Sequence, residues 1–464
     1  MIMPTKTVDL NKIEEEIFRK ACLAGCDAMR QVLENYDEQL RQSRDFKQYR
    51  HKGLRKTVFK TRMGDVEYKR SQYVSHEDGK KKYVYLLDMA IGEQVVGHFS
   101  QSMAETIAES NCCMSYRHSA QTISETTGLS VSHTTAWKVT QLLGERAEER
   151  ERSDAKLARN GEGRGKTEAA LLFEEQDGIW LNLQGNDRKK RGSAIEMKVA
   201  IAYSGAVKTG AKRYNLEGKV ACANFEGVDE FVRRKEGVIA SYYNIDEIQQ
   251  RIINGDGAGW IKRSITDETV HYQLDTFHRN RAIFRAAPDE NSRKAMFKLL
   301  YSKEIDELLL YIDALANSME NETKEADLRG LHTYFFNNRD GLILYKRRGL
   351  DLPEPPEGLV YRGCGAMESN IFSIIGRRMK RRRTNWSIRG GNNMARLLTL
   401  KTTNRLSEAV TGFLPEQFDQ IVQTPLSAAS LPASTGKGYN GFSKAEIPAN
   451  LPWMKEIFRI KPLV

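Results

Sequence analysis

Between residues 169 and 279 the apolar residues fall into runs of strand length, and the order of those runs constrains the fold more than any other feature of the chain. Residues 169–175 read as a strand ending in Gln176-Asp177-Gly178, residues 179–183 continue as strand, and residues 197–203 and 219–224 are further strands. Residues 228–243 carry helical spacing. Residues 249–253 then lead into Asn254-Gly255-Asp256-Gly257-Ala258-Gly259-Trp260, and residues 270–274 into Asp275-Thr276-Phe277-His278-Arg279. Three strands, a helix, a strand, a short helix and a strand make this region mixed α/β.

The flanks are organised differently. Residues 1–48 read as an N-terminal helical segment, with Ile13, Ile17, Ala21 and Ala24 at helical spacing. Residues 49–95 switch to strand-like alternation, with Met63-Gly64-Asp65 and Asp78-Gly79 as turns, and form a small basic β-rich module. Residues 96–160 read as a helix-turn-helix-like region followed by a charge-laced linker helix over 145–156. The α/β region, 168–285, is followed by a helical insertion over 286–360, and residues 361–410 return to the core. No proline occurs between Pro4 and Pro288, whereas six of the eleven lie at or after Pro415, so 411–464 read as an irregular tail. Asn160-Gly161-Glu162-Gly163-Arg164-Gly165-Lys166-Thr167 looks like a phosphate-binding loop. Asn160 occupies its first glycine position, however, and a strand rather than a helix follows, so it is read as a linker.

Charge points to the partner. Lys and Arg number 72 against 61 Asp and Glu, a net charge of +11, which favours an anion, nucleic acid being the commonest. A basic but otherwise ordinary enzyme is the alternative. No run of about 18 apolar residues occurs, so no membrane partner is expected. The N-terminus lacks a basic start followed by an apolar core, and the six cysteines include no CxxC pair, so the expected compartment is a reducing cytoplasm. Basic residues crowd the β-rich module, either as one DNA-facing surface or as a solvated face. A helix over 119–123, a turn centred on Gly128 and a second helix capped by Ser132 make a helix-turn-helix pattern. Its first turn would present Ser132, His133 and Thr135 to a major groove; an ordinary helical hairpin would share the turn.

Acidic residues beside glycines suggest the chemistry. Asp177 in EQDG and Asp256 in GDGAGW sit at strand ends, where glycine lets a substrate or metal approach the backbone. Each alone is a common turn signal. A third acid, Glu368, stands in the first turn of a helix after Gly363-Cys364-Gly365-Ala366-Met367. Then come Arg377, Arg378, Lys380, Arg381, Arg382, Arg383 and Arg389 with no acid between them, and with Trp386, Gly390 and Gly391 nearby. Such a cluster suits contact with a phosphate chain, or is a solvated face.

The strand order is that of a ribonuclease-H-like sheet. The fold class expected is therefore α/β (α+β overall), a ribonuclease-H-like catalytic core with a helical insertion, preceded by helical and small β-rich DNA-binding modules. Taken in order, EQDG, NGDGAGWIK, LDTFHRNRA and GCGAMESNIFSIIGRRMKRRRTNWSIRGG resemble the bacterial insertion-sequence transposases of the ISLre type, relatives of the Mutator-like DDE transposases, over residues 10–410. The resemblance implies that Asp177, Asp256 and Glu368 bind two divalent ions, Mg²⁺ or Mn²⁺, and that Asp275 and His278 match the Asp-x-x-His element, His278 joining the catalytic residues. It further implies double-stranded DNA as partner (transposon terminal repeats and target DNA), a homodimer or higher assembly on DNA, and a place on the bacterial nucleoid. Two metals can stabilise the attacking and leaving oxygens together, and hard oxygen ligands suffice to hold them. A ribonuclease-H-like nuclease that cuts without joining, and a DNA-binding protein with a decayed site, stay open as alternatives; a strand-transfer assay separates the first from a transposase.

Overall fold

The computed structural model describes residues 9–411 apart from 78–79 and 93–94. The Asp78-Gly79 turn and, from residue 412, the irregular tail lie outside the described residues. An N-terminal helix α1 (Leu10–Ser43) lies on a sheet of β1 (Arg50–Thr61), β2 (Gly64–Glu77), β3 (Lys80–Val84), β4 (Val95–Val96) and β5 (Phe99–Ser100), with α2 (Leu86–Ile91) between β3 and β4. The sheet order is β3-β2-β1-β5-β4. Val66 and Tyr68 of β2 pack on Leu33 of α1, and Asp37 of the helix accepts the Ser71 N–H at 2.9 Å, so apolar burial and a buried hydrogen bond fix the docking together. The outer face is not uniformly basic. Cross-strand register sets Lys56 opposite Lys69 but Lys60 opposite Asp65, 2.9 Å apart, and Glu67 between them.

Three helices follow, α3 (Gln101–Cys113), α4 (Tyr116–Thr126) and α5 (His133–Arg159). Ser100, Ser115 and Ser132 cap them, each accepting a backbone N–H three residues on, which is why each helix starts where it does.

The central unit runs β6 (Leu171–Leu183), α6 (Gly185–Arg191), β7 (Ala194–Tyr203), β8 (Gly205–Lys208), β9 (Tyr214–Glu217), β10 (Val220–Asn224), α7 (Val228–Ala240), β11 (Gln250–Gly255), β12 (Val270–Leu274) and α8 (Thr276–Ala286). The insertion supplies α9 (Glu290–Ser302), α10 (Ile305–Asn317) and α11 (Glu322–Asn337). The chain returns through β13 (Leu359–Val360), α12 (Met367–Ile371), β14 (Asn385–Trp386), α13 (Ile388–Thr402) and α14 (Leu406–Thr411). The mixed α/β reading is borne out. The sheet order is β10-β7-β6-β11-β12, with β14 added on β6; β10, β7 and β6 are antiparallel neighbours, while β11 and β12 continue parallel to β6. Gln176-Asp177-Gly178 does not end a strand, as the sequence suggested: β6 passes straight through it for 13 residues. Leu171, Leu172 and Phe173 are all fully buried because helices cover both faces of the sheet there.

One face of the sheet (Phe173, Ile179, Val199, Ile201) shares a core with Met103, Ile107, Ile123 and Leu143 of the α3–α5 helices and with Met394 and Leu397 of α13. The insertion helices pack instead on the edge, joining Ile253, Tyr272 and Leu274 to Leu308, Ile312, Leu328 and Phe335. Among the described residues no helix is long and apolar enough to cross a membrane.

The charge-laced stretch of 145–156 is the last part of α5, and its acids are used inside the protein. Arg234 of α7 and Arg396 of α13, each 1% exposed, reach Glu148 and Glu151 at 3.1–3.4 Å, and Glu230 completes the cluster at 2.6 Å from Arg234. Removing one member of such a cluster leaves a charge buried without its partner. Arg396→Ala should therefore lower the unfolding free energy by about 3–5 kcal/mol in a urea titration; a loss below about 1 kcal/mol would mean that water already shares the load.

Candidate active site

Side chains alternate along a strand, so Glu175 and Asp177 of β6 point to one face. Gly255 pairs with Gln176 at the end of β11, which sets Asp256, the next residue, beside Asp177. The Asp256 carboxylate accepts the Ala258 N–H at 2.9 Å, and the turn needs Gly257, whose φ of +95° is left-handed. β12 delivers Asp275 to the same place, its own N–H donating to the Gly255 carbonyl at 2.8 Å. Asp275 caps α8 by accepting the Phe277 and His278 N–H groups, and this fixes the first turn so that His278 Nε2 stands 4.0 Å from Asp177 Oδ2.

Asp177, Asp256, Asp275 and His278 thus form one electrostatic group. Burial pushes the Asp177 carboxyl up to about 6; the Gly178 N–H pulls down against it, Asp256 pushes up, His278 pulls down and Asp275 pushes up.

A further acid, Glu175, escaped the sequence reading. It is fully buried and accepts five hydrogen bonds: from Tyr203 Oη at 2.7 Å, Asn254 Nδ2 at 3.3 Å, and the backbone N–H groups of Gly365, Ala366 and Met367 at 2.9, 3.1 and 3.1 Å. Burial raises its pKa while all these donors except Asn254 act to lower it. The three backbone donors lead into α12, where Glu368 occupies the first turn, exposed to solvent. Glu175 therefore ties the segment carrying Glu368 to the strand carrying Asp177. Among the described residues, however, no three His, Cys, Asp or Glu side chains stand close enough together to hold a metal ion. The available signal was a glutamate directly after the apolar run of 169–173 and Glu174, inside a strand of the core, a position that demands partners.

Glu196 is another addition. An added Cβ on Gly178 would lie 2.0 Å from its Oε1, so the glycine in EQDG makes room for this neighbour, and Asp256 helps to raise the Glu196 pKa after burial.

The basic cluster divides. The helix after Glu368 does not stay α-helical: Phe372–Lys380 is wound as a π-helix, and Arg381–Arg383 form one 3₁₀ turn. Arg377, Lys380, Arg381 and Arg383 are exposed, Arg381 lying 5.1 Å from the centre of the Phe372 ring. Arg378, expected to touch DNA, is buried; it donates to the Asn111 carbonyl at 2.6 Å and lies 5.3 Å from the rings of Tyr116 and Trp386, so it fastens the α3–α4 helices to the central unit. Trp386 is buried too, donating to the Met379 carbonyl at 2.9 Å. Gly391 serves close packing, since a Cβ there would lie 2.6 Å from Phe225. Arg389 pairs with Glu145 across the α13–α5 contact. At the helix-turn-helix, the Ser132 and Thr135 hydroxyls bond each other at 2.9 Å while His133 is exposed.

The chain matches the description "Uncharacterised protein family (UPF0236)" over residues 4–411. It belongs to that family. A UPF0236 protein of Streptococcus gallolyticus, named for its place in the vanSb 3' region, is 23% identical over 402 residues, covering 84% of this chain and 82% of its own length. A second UPF0236 protein, from Caldanaerobacter subterraneus subsp. tengcongensis, is 24% identical over 347 residues, 73% of this chain and 66% of its own; its name joins four designations. The resemblance to ISLre-type transposases is corrected accordingly, because the family and the relatives matched carry the UPF0236 description and none is named a transposase.

In this UPF0236 chain the raised Asp177 pKa makes a signed prediction. Its folded value of about 6 lies above the ordinary 3.8, so its contribution to stability is full below pH 3.8 and is lost as pH rises through 6. Asp177→Asn removes that loss. Between about pH 4 and pH 7, without divalent ions, the variant should gain up to about 3 kcal/mol on wild type in urea unfolding; parallel pH profiles would show that Asp177 carries no such strain.

Proposed function

We propose that this protein cuts DNA phosphodiester bonds and joins the released ends to a second DNA, as a DDE-type transposase on a ribonuclease-H-like core, with Asp177, Asp256 and Glu368 as its carboxylates. The observation that carries the reading is the place of Asp177: the middle of β6 in a six-stranded sheet whose β10, β7 and β6 are antiparallel neighbours and whose β11, β12 and β14 run parallel to β6, beside Asp256, which directly follows the end of the neighbouring parallel strand β11. Glu175 adds to it by tying the Glu368 segment to that same strand.

The donor set suits a hard divalent cation such as Mg²⁺ or Mn²⁺. It is made of carboxylate oxygens, and the pKa of Asp177 is already raised by burial and by the Asp256 charge, a repulsion that a cation would relieve. When bound, two such ions would stabilise the attacking and leaving oxygens of the phosphoryl transfer. Asp177 and Asp256 would hold them, and the proposal requires the exposed Glu368 carboxylate to close on that pair when they bind. Asp275 positions His278 through the two N–H groups it caps, and His278 in turn faces Asp177.

Arg377, Lys380, Arg381 and Arg383, exposed after Glu368, would contact the phosphates of double-stranded DNA without reading its sequence. His133, at the exposed start of α5, is the groove contact that the helix-turn-helix leaves free. A relative whose name joins several designations also suits a sequence that is copied about a genome.

Asp177→Asn, Asp256→Asn and Glu368→Gln should each abolish Mg²⁺-dependent cleavage of DNA carrying the element's ends, and strand transfer with it, while leaving DNA binding nearly intact. Loss of one carboxylate ligand reaches several kcal/mol in the transition state. Cleavage by any of these variants within about tenfold of wild type removes that residue from the site, and cleavage by wild type without joining makes the protein a nuclease.

A further inference from the structure

A group of sulfur atoms lies outside the unit that carries the carboxylates. The stripe of α1 that rests on the small sheet runs Cys26, Met29, Leu33, Tyr36 and Leu40, and Cys22 precedes Cys26 by one helical turn. Both cysteines are free thiols, half-buried and so open to solvent. Met63, in the turn between β1 and β2, brings a third sulfur. A Cβ on Gly25 of α1 would collide with the Met63 Sδ, so the thioether rests on the helix backbone in the turn that separates the two cysteines. A Cβ on Gly64 would lie 3.4 Å from Cys26 Sγ, and one on Gly128, in the α4–α5 turn, 3.1 Å from Cys22 Sγ and against the Met63 carbonyl. The Gly128 N–H donates to the Arg62 carbonyl at 3.0 Å, which holds the two turns together. Three segments thus meet on Cys22, Cys26 and Met63, and glycines clear the space around the sulfurs.

The spacing excludes a disulfide and suits an ion. Residues i and i+4 of a helix have Cβ atoms about 5–6 Å apart, whereas a disulfide needs about 3.5–4.5 Å. Two sulfurs turned toward one another across the wider gap can share a cation instead. Thiolate and thioether are soft donors, which select Cu⁺, Zn²⁺ or iron–sulfur clusters. Structural zinc takes four ligands, and so do the common clusters. Among the described residues no third His, Cys, Asp or Glu joins this pair of thiols. Cu⁺, which is satisfied by two or three sulfurs, is the ion left. Burial pushes the Cys26 thiol up, Cys22 and Asp65 push it further, and a hydrogen bond with Thr61 pulls it down. A cation between the thiols would relieve that repulsion.

We propose that Cys22, Cys26 and Met63 form a site for one Cu⁺ ion. The two thiol protons leave to solvent as the thiolates bind, the metal keeps its oxidation state, and Met63 supplies a neutral third donor. Because the Met63 turn is bonded to the Gly128 turn, the ion fastens the middle of α1 to the segment ahead of α5. The site is independent of the function proposed above.

The test uses the full chain, reduced and under nitrogen, titrated with Cu⁺ held by the chromophoric chelator bicinchoninate. Wild type should withdraw one equivalent. Cys22→Ser and Cys26→Ser should each hold it more weakly by about 100-fold or more, and Met63→Leu, which keeps an apolar side chain of similar bulk, by about tenfold. Cys113→Ser, at an exposed thiol elsewhere, should behave as wild type. X-ray absorption at the copper edge should show only sulfur neighbours, one fewer in Met63→Leu. Cu⁺ should also raise the thermal midpoint of wild type and leave that of Cys22→Ser/Cys26→Ser unchanged. An equivalent kept by either cysteine variant, lost in Cys113→Ser or held as tightly in Met63→Leu would overturn the proposal, as would displacement of Cu⁺ by an equal concentration of Zn²⁺. Should the cysteine variants lose their thermal transition, Met63→Leu decides by itself.

Discussion

Glu175 is the interaction on which the geometry of the candidate site depends. A buried carboxylate must find donors, and this one takes three of its five from a backbone turn some 190 residues away. Its remaining donors, Tyr203 and Asn254, come from the strands on either side of β6. One side chain thus joins β7, β6, β11 and the start of α12, and it does so next to Asp177. The network extends outward: Asn254 also donates to Asp275 at 2.9 Å and accepts from Gln273, whose carbonyl oxygen accepts the Tyr345 N–H. Chains of buried hydrogen bonds specify one arrangement because any slip leaves several groups unsatisfied together.

Two buried ion clusters hold what surrounds this network. Glu174, adjacent to Glu175 but on the opposite face of β6, pairs with Lys235 of α7 and with Arg251 of β11. Glu148 and Glu151 bind α5 to α7 and α13 through Arg234 and Arg396. Contact there is close enough that an added Cβ on Gly144 of α5 would fall 2.4 Å from Asn393 of α13. The candidate site is therefore set in a frame fixed by buried charge, with α7 contributing Arg234 to one cluster and Lys235 to the other.

Strand order was legible because apolar runs and their spacing report burial locally. Asp177 was legible as a candidate but misplaced, since Asp-Gly usually marks a turn; here the glycine continues the strand and leaves space for Glu196. The capped start of α5 was readable from Ser132 and the spacing after it, whereas α4 starts on Ser115, ahead of the helix read over 119–123. Partners far along the chain were not. Nothing near Arg378 in sequence announces that its guanidinium will meet the Asn111 carbonyl, and nothing near Glu151 announces Arg234 or Arg396. In the basic β-rich module a count of charges does not give the cross-strand register, which puts Asp65 and Glu67 among the lysines. The π-helix after Glu368 leaves no mark in the apolar spacing, which fits an α-helix as well.

The helix α5 runs unbroken for 27 residues, and about 27 Å of it, at 1.5 Å per residue, separates the exposed turn at His133 from Glu151, the carboxylate clamped by Arg234 and Arg396. Arg378 anchors the same helical group from the other side. A reading head on a tether tolerates variable spacing between what it recognises and what is cut. This one is built as a beam packed into the core and clamped past its middle, so under the proposed function the protein acts as a ruler, and the interval between a recognised sequence and the broken bond is a property of the fold.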